Sequence, residues 1–179
     1  MPYGKTEIEF DLLPGMKGTV IHSQPIQPLA NISASIDKAL SEPINSAPLR
    51  GLAKKGDTAC IVFTDITRAC PDYLLIPPIL RELYKAGIQE KDITLLCGTG
   101  LHRNSTYEEK VAKLGPELVE KYHVVDNEPQ NPANFADLGK TDKGIPISLN
   151  KIAYETDLLI STGIVEPHQY AGYSGARKT

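Results

Sequence analysis

The 179-residue sequence has no apolar run approaching the roughly 20 residues that a membrane-spanning helix needs, so a helical membrane protein is not expected. Its start, Met1-Pro2-Tyr3-Gly4-Lys5-Thr6-Glu7, has neither the basic opening nor the apolar stretch of a secretory signal, and a cytoplasmic protein is the expectation. Charge of one sign is also scarce. Lys and Arg number 19 against 22 Asp and Glu, for a formal net charge of -3, and the basic residues are scattered rather than striped. Neither nucleic acid nor an anionic membrane is therefore an expected partner. Cysteine is rare: Cys60, Cys70 and Cys97 form an odd set without CxxC spacing. Cys60 and Cys97 lie in apolar runs and read as small core residues. Cys70 follows Thr67-Arg68 in a polar loop, where an inert thiol is expected and a reactive one is the alternative. No internal repeat or low-complexity tract is visible.

What is present is ordinary globular composition, 41% hydrophobic and 23% charged, in a chain long enough to bury a core without disulfides or a structural metal. Glu7-Ile8-Glu9-Phe10-Asp11-Leu12 alternates polar and apolar residues and predicts an opening strand that Pro14-Gly15 breaks. The stretch from His22 to Leu29 has no clear period, and Ser33 to Leu40 predicts a short helix stopped before Pro43. Residues 1–50 thus read as a β extension and linker, and residues 51–179 as the core. From Gly56 onward, short apolar runs alternate with polar loops and helical segments, which is the grammar of βαβ units. The runs are 59–63, 93–97 and 158–160, and their continuous apolarity predicts strands covered on both faces. Residues 77–86 before Gly87 predict one crossover helix. Ser105-Thr106-Tyr107-Glu108-Glu109 offers overlapping capping boxes for another, ending at Gly115-Pro116. Asp142-Lys143-Gly144, between 136–138 and 145–147, is a candidate hairpin turn. The expected fold is α/β: an open, mostly parallel Rossmann-like sheet with flanking helices and an amino-terminal β extension.

In such a sheet the loops leaving the carboxyl ends of the strands share one rim, where ligands bind. These loops carry Asp65, Ile66, Thr67 and Arg68, then Gly98-Thr99-Gly100-Leu101-His102-Arg103, then the long segment from Gly163 to Lys178 with His168 and Ser174. A rim that gathers Asp65, Arg68, His102, His168 and Lys178 exceeds what solvation requires. Each residue has an ordinary reading too: Asp65 and Arg68 as a local ion pair, His102 as a helix cap, His168 as a loop histidine, Lys178 as a solvated side chain. His22 and His123 lie in unpatterned segments and are assigned no role. Gly98-Thr99-Gly100 begins like a dinucleotide fingerprint, but Arg103 stands where its third glycine would be. Gly172-Tyr173-Ser174-Gly175-Ala176 departs from a serine-hydrolase elbow at Ala176. As a small turn opening a helix it suits a phosphate better.

Together, Asp65-x-x-Arg68, Gly98-Thr99-Gly100-x-His102-Arg103 and Pro167-His168-x-x-Ala171-Gly172-Tyr173-Ser174-Gly175 followed by Lys178 resemble the lactate racemase family over nearly the whole chain. Family members are considerably longer, so the resemblance implies an amino-terminal half. It implies a nickel-pincer nucleotide, a nickel ion held by a pyridinium-bisthiocarboxylate mononucleotide that other proteins make and insert, attached through Lys178 and contacted by Asp65, Ile66, Thr67, Arg68 and Ser174. It implies His102 and His168 as acid/base residues on opposite faces of a 2-hydroxy acid. The histidine that completes nickel coordination and the substrate-carboxylate residues are expected beyond Thr179. Two departures stand out: Ala69-Cys70 after Arg68, where a proline is expected sooner, and Ala176 in place of a second glycine.

The implied chemistry is coherent. The hydrogen on the central carbon of a 2-hydroxy acid is too weakly acidic for a bare histidine and must leave as hydride, while a histidine takes the hydroxyl proton. Return of the hydride to the other face of the keto acid inverts the centre, which calls for a base on each side. Two alternatives stay open at this point: an inactive fragment or binding module lacking half of the site, and a metal-dependent hydrolase with Asp65, His102 and His168 as ligands.

Overall fold

The computed structural model describes residues 2–22 and 24–179, Pro2 by its backbone alone. The chain forms two compact units, residues 1–30 and 31–179. In the first, β1 (Pro2–Tyr3) and β2 (Thr6–Glu7) pair antiparallel around Gly4, whose φ of +62° suits the turn. The strand expected over 7–12 is realised only at its first residue. Residues 8–13 lie outside any strand, and Phe10 and Leu12 are exposed. Alternation sorts side chains onto two faces, but a strand also needs a neighbouring ladder, and the described ladder pairs Tyr3 with Thr6 and Pro2 with Glu7.

The second unit begins with α1 (Ile32–Ser41), capped by the Asn31 side chain accepting from the Ala34 amide at 2.9 Å, and α2 (Leu49–Leu52). The division at residue 30, not 50, follows from packing: Leu40 of α1 and Leu49 of α2 lie against the main hydrophobic core. Its sheet contains β3 (Ala59–Thr64), β4 (Ile93–Gly98), β5 (His123–Asp126) and β8 (Leu158–Ser161) in the order β5-β4-β3-β8, every pair parallel. The first strand is central and the last crosses to its other side, so the connections part between β3 and β8, as at the switch point of a Rossmann-like sheet. A separate antiparallel hairpin, β6 (Phe135–Lys140) with β7 (Pro146–Asn150), contains the expected 142–144 turn.

The helices between these strands are α3 (Asp72–Lys85), α4 (Tyr107–Leu114), α5 (Pro116–Lys121) and α6 (Lys151–Glu155). α4 starts at the anticipated capping box: Thr106 accepts from the Glu109 amide at 3.2 Å, and Glu109 accepts from the Thr106 amide at 2.9 Å. α3 starts five residues before the expected Pro77, so that Pro77 and Pro78 lie inside it. Two ladder bonds are lost there. Burial of Ile76, Ile79, Leu80 and Leu83 against the sheet outweighs that loss, at about 1.5–3 kcal/mol per fully buried side chain. Ile61, Phe63, Leu95 and Cys97 face α3 and α4, whereas Cys60 and Leu96 face Ala153 of α6. Two-sided covering explains the unbroken apolar runs of β3 and β4. β8 is covered less: Leu159, level with Cys60, is 48% exposed.

Candidate active site

The carboxyl ends of β3, β4 and β8 open onto a cleft of about 360 Å³, within the size range of small-molecule sites. Its walls include Asp65, Arg68, Thr99, His102, His168, Ser174 and Lys178. Ile66 and Thr67 are not in it. They line an adjoining groove of about 250 Å³ with Asp65, His102 and Arg103.

Asp65 sits directly after β3 and is 6% exposed. Its Oδ1 accepts from the Thr67 amide at 2.8 Å and the Thr67 hydroxyl at 2.5 Å, and its Oδ2 accepts from His102 Nδ1 at 2.5 Å. Burial by itself would raise this carboxyl. The hydrogen bonds from Thr67 and His102 prevail and hold it below the usual range. The local Asp65–Arg68 ion pair does not form: Asp65 is engaged by Thr67 and His102, and the exposed Arg68 lines the cleft. His102 comes from the turn after β4, closed by its amide on the Thr99 carbonyl at 2.9 Å, with Gly100 at a φ of +57°. With Nδ1 donating to Asp65, the neutral ring carries its lone pair on Nε2. Arg103 turns away to a bidentate pair with Glu109, at 2.8 and 2.7 Å.

After β8, the segment 163–178 doubles back as β9 (Pro167–His168) against β10 (Gly172–Tyr173). His168 Nδ1 accepts from the Tyr170 and Ala171 amides, each at 3.2 Å, which leaves the proton on Nε2. The two histidines are thus held in opposite tautomers. Ser174 closes the loop, its hydroxyl donating to the Ile164 carbonyl at 2.7 Å and accepting from the Glu166 amide at 2.9 Å. A hydroxyl so committed is not poised as a nucleophile. Lys178 is exposed in a 3-10 turn, Ala176–Lys178, that follows Gly175. That turn packs against β8's outgoing strand end: a Cβ on Gly163 would come within 2.7 Å of the Ala176 amide nitrogen.

Three further residues stand out only in the structure. Thr99, 2% exposed, lines the cleft with its hydroxyl unpartnered among the described residues; it lies within Gly98-Thr99-Gly100, where no sequence pattern marks it individually. Asp72 and Lys113 form a buried ion pair at 2.8 Å beneath the rim, and no spacing pattern relates them. Cys70 is buried, and its thiol is pushed up to about 11, first by burial and then by the Asp72 charge. The inert reading of Cys70 fits that environment. Among the described residues, no three His, Cys, Asp or Glu side chains are grouped closely enough to hold a metal ion, which leaves the three-ligand hydrolase reading without a geometric basis. No helix among the described residues is long and apolar enough to cross a membrane.

The sequence model described as the lactate racemase N-terminal domain matches residues 3–179. The lactate racemase of Thermoanaerobacterium thermosaccharolyticum is 34% identical over 181 aligned positions, covering 100% of this chain and 42% of the relative. That of Lactiplantibacillus plantarum is 36% identical over 145 positions, covering 81% of this chain and 34% of the relative. The solved lactate racemase apoprotein from T. thermosaccharolyticum superposes with a TM-score of 0.73 at 34% identity, over 82% of this chain and 35% of that one. The chain therefore spans well under half the length of these relatives.

Proposed function

Because the chain belongs to the lactate racemase family, as its amino-terminal domain, we propose that it provides the cofactor-bearing, acid/base half of a racemase or epimerase acting on a lactate-like 2-hydroxy acid. The observation that carries this reading is the convergence of Asp65, Arg68, His102, His168 and Lys178 on one cleft, from three separate loops.

The implied group is a nickel-pincer nucleotide, and the residues present fit a mononucleotide. Two cationic side chains, Arg68 and Lys178, share the cleft with the unpartnered Thr99 hydroxyl, a donor set suited to an anionic ligand. Exposed Lys178 has an amine free for attachment, and Arg68 has a guanidinium for a phosphate or carboxylate. The soft sulfur donors would come from the nucleotide, because Cys60, Cys70 and Cys97 are all buried. When bound, the group supplies the hydride acceptor that the substrate's unacidic C–H demands. His102, oriented by Asp65, accepts the hydroxyl proton at Nε2. His168 presents Nε2–H to the substrate oxygen from the opposite loop. The substrate carboxylate and the last nickel ligand are assigned to the part of the longer protein that follows.

The test is denaturing intact-mass spectrometry with nickel analysis of the full-length protein, co-expressed with cofactor-synthesis proteins. An adduct on Lys178 with stoichiometric nickel, absent in Lys178→Ala, is expected, together with interconversion of the enantiomers of a 2-hydroxy acid. An unmodified, nickel-free, inactive protein under those conditions refutes the proposal.

A further inference from the structure

Beneath the cleft lies a buried ionic cluster that the chemistry above does not use. Asp72, wholly buried at the start of α3, accepts from the Thr64 hydroxyl at 2.6 Å through Oδ2 and from the Thr162 hydroxyl at 2.6 Å through Oδ1. Thr64 ends β3 and Thr162 follows β8, so one carboxylate joins the two strands that flank the switch point. Lys113 of α4 pairs with Asp72 and is itself buried. Its ammonium donates to the Thr64 hydroxyl at 2.8 Å and to the carbonyls of Cys70 at 2.8 Å and Arg68 at 3.1 Å.

Stability is a poor explanation for this arrangement. Removing two charges from water costs several kcal/mol per ion, and well-packed apolar replacements of buried pairs are often neutral or stabilising. What an apolar pair cannot do is hold two loop carbonyls. The Arg68 and Cys70 carbonyls fix the carboxyl end of the loop whose other end is Asp65, and the Arg68 amide returns to the Asp65 carbonyl at 3.1 Å. From this geometry we propose that Asp72 and Lys113 are positioning residues: they set the 65–70 loop that presents Asp65 and Arg68 to the cleft, and register it against the end of β8. The proposal rests on the functional reading given above, in which Asp65 and Arg68 serve the cofactor.

Cys70 is a built-in probe, because its carbonyl is held by Lys113 and its thiol lies 3.4 Å from Asp72. Cys60 and Cys97, in the sheet, report global opening in the same molecule. The experiment is native-state alkylation of the full-length protein, read site by site by peptide mass, for wild type, Lys113→Met and Asp72→Asn/Lys113→Met. Binding of nicotinate mononucleotide, a pyridinium mononucleotide, is measured in parallel by calorimetry. Expected is a Cys70 rate increased on the order of tenfold beyond any change at Cys60 and Cys97, as for loss of one loop-holding contact, with weakened mononucleotide binding. The double variant should recover thermal stability but not Cys70 protection or binding. In Lys113→Met the charge removed is one that favours the Cys70 thiolate, so faster labelling of that variant reports opening of the loop rather than a more reactive thiol; the double variant also loses the Asp72 charge that disfavours the thiolate, so mononucleotide binding is the deciding readout there. Should either variant fail to fold, Thr162→Val, which removes a single hydroxyl from Asp72, should shift Cys70 in the same direction by a smaller factor. The proposal is overturned if all three cysteines accelerate in parallel, if Cys70 is unchanged, or if Cys70 opens while mononucleotide binding stays as in wild type. A wild-type protein that binds no mononucleotide instead overturns the functional reading, and with it the role of the pair.

Discussion

Replacing Asp65 with Asn tests the acid/base assignment at its most constrained point. The carboxylate uses both oxygens: Oδ1 serves the Thr67 amide and hydroxyl, and Oδ2 serves His102 Nδ1. An asparagine has one acceptor, and two donors from Thr67 compete for it. Its amide nitrogen is then left facing His102 Nδ1, so the favoured imidazole tautomer becomes the one protonated at Nε2. That removes the lone pair from the atom assigned as the base. General acid/base catalysis contributes roughly 10²–10⁴ in rate, on the order of 3–5 kcal/mol of barrier, and Asp65→Asn should forfeit most of it in kcat. The fold should suffer much less. A charge-assisted hydrogen bond is worth about 1.5–3 kcal/mol when shielded, and with the His102 side chain 48% exposed the loss should be about 1 kcal/mol after screening. The assay pairs racemisation kinetics of the loaded full-length protein with nitrogen NMR of His102. A kcat within about threefold of wild type, or an unchanged His102 tautomer, refutes the reasoning.

Three further outcomes are expected. Gly163→Ala would bring a methyl within 2.7 Å of the Ala176 amide nitrogen and 2.8 Å of the Gly175 carbonyl carbon; since backbone must move, a cost of about 1–3 kcal/mol and impaired loading at Lys178 should appear in urea melts and intact mass. Thr106→Ala removes the cap of α4 and should cost about 1 kcal/mol, measured as a lower urea midpoint at neutral pH, while nicotinate mononucleotide affinity is retained. Acid should also weaken the fold through Asp65. Its folded carboxyl lies below the unfolded value, so the stability it adds is fully present above about pH 4 and is lost as pH falls through the depressed folded value. Urea midpoints from pH 6 down to pH 3 should decline more steeply for wild type than for Asp65→Asn, and equal slopes would contradict that.

The sheet was legible because β3 and β4 are covered on both faces, which turns a strand into an uninterrupted apolar run. β5 was missed: His123-Val124-Val125-Asp126 is four residues long, at the edge, and only half-buried, so it lacks such a run. The start of α3 was misplaced because Pro77 reads as a first-turn proline. The apolar face from Ile76 to Leu83 is what keeps that helix continuous through two prolines, and such tertiary compensation has no local signature. The opening strand shows the converse, a correct period whose strand ends at Glu7, so that alternation alone overstated its length. Rim residues were readable because a parallel sheet sends every outgoing loop to the same edge. Asp72 and Lys113 were not, since one belongs to α3, the other to α4, and only packing brings them together.

The same distinction applies to the two histidines. Residue type and position after a strand place both on the rim, but the difference between them lies in what holds Nδ1. For His102 it is a carboxylate, which leaves Nε2 as an acceptor and can also stabilise the ring once it has taken a proton. For His168 it is a pair of backbone amides, which cannot stabilise a protonated Nδ1. A neutral ring in that state donates a hydrogen bond at Nε2 but cannot pass a proton on, because the product would be an imidazolate. If His168 is to share the acid/base work equally, the Tyr170 and Ala171 amides must first release it. That release needs a turn of the His168 ring or a shift of the hairpin from Pro167 to Tyr173, so the proposed racemisation, symmetrical in its substrate, would draw on an unsymmetrical pair of supports.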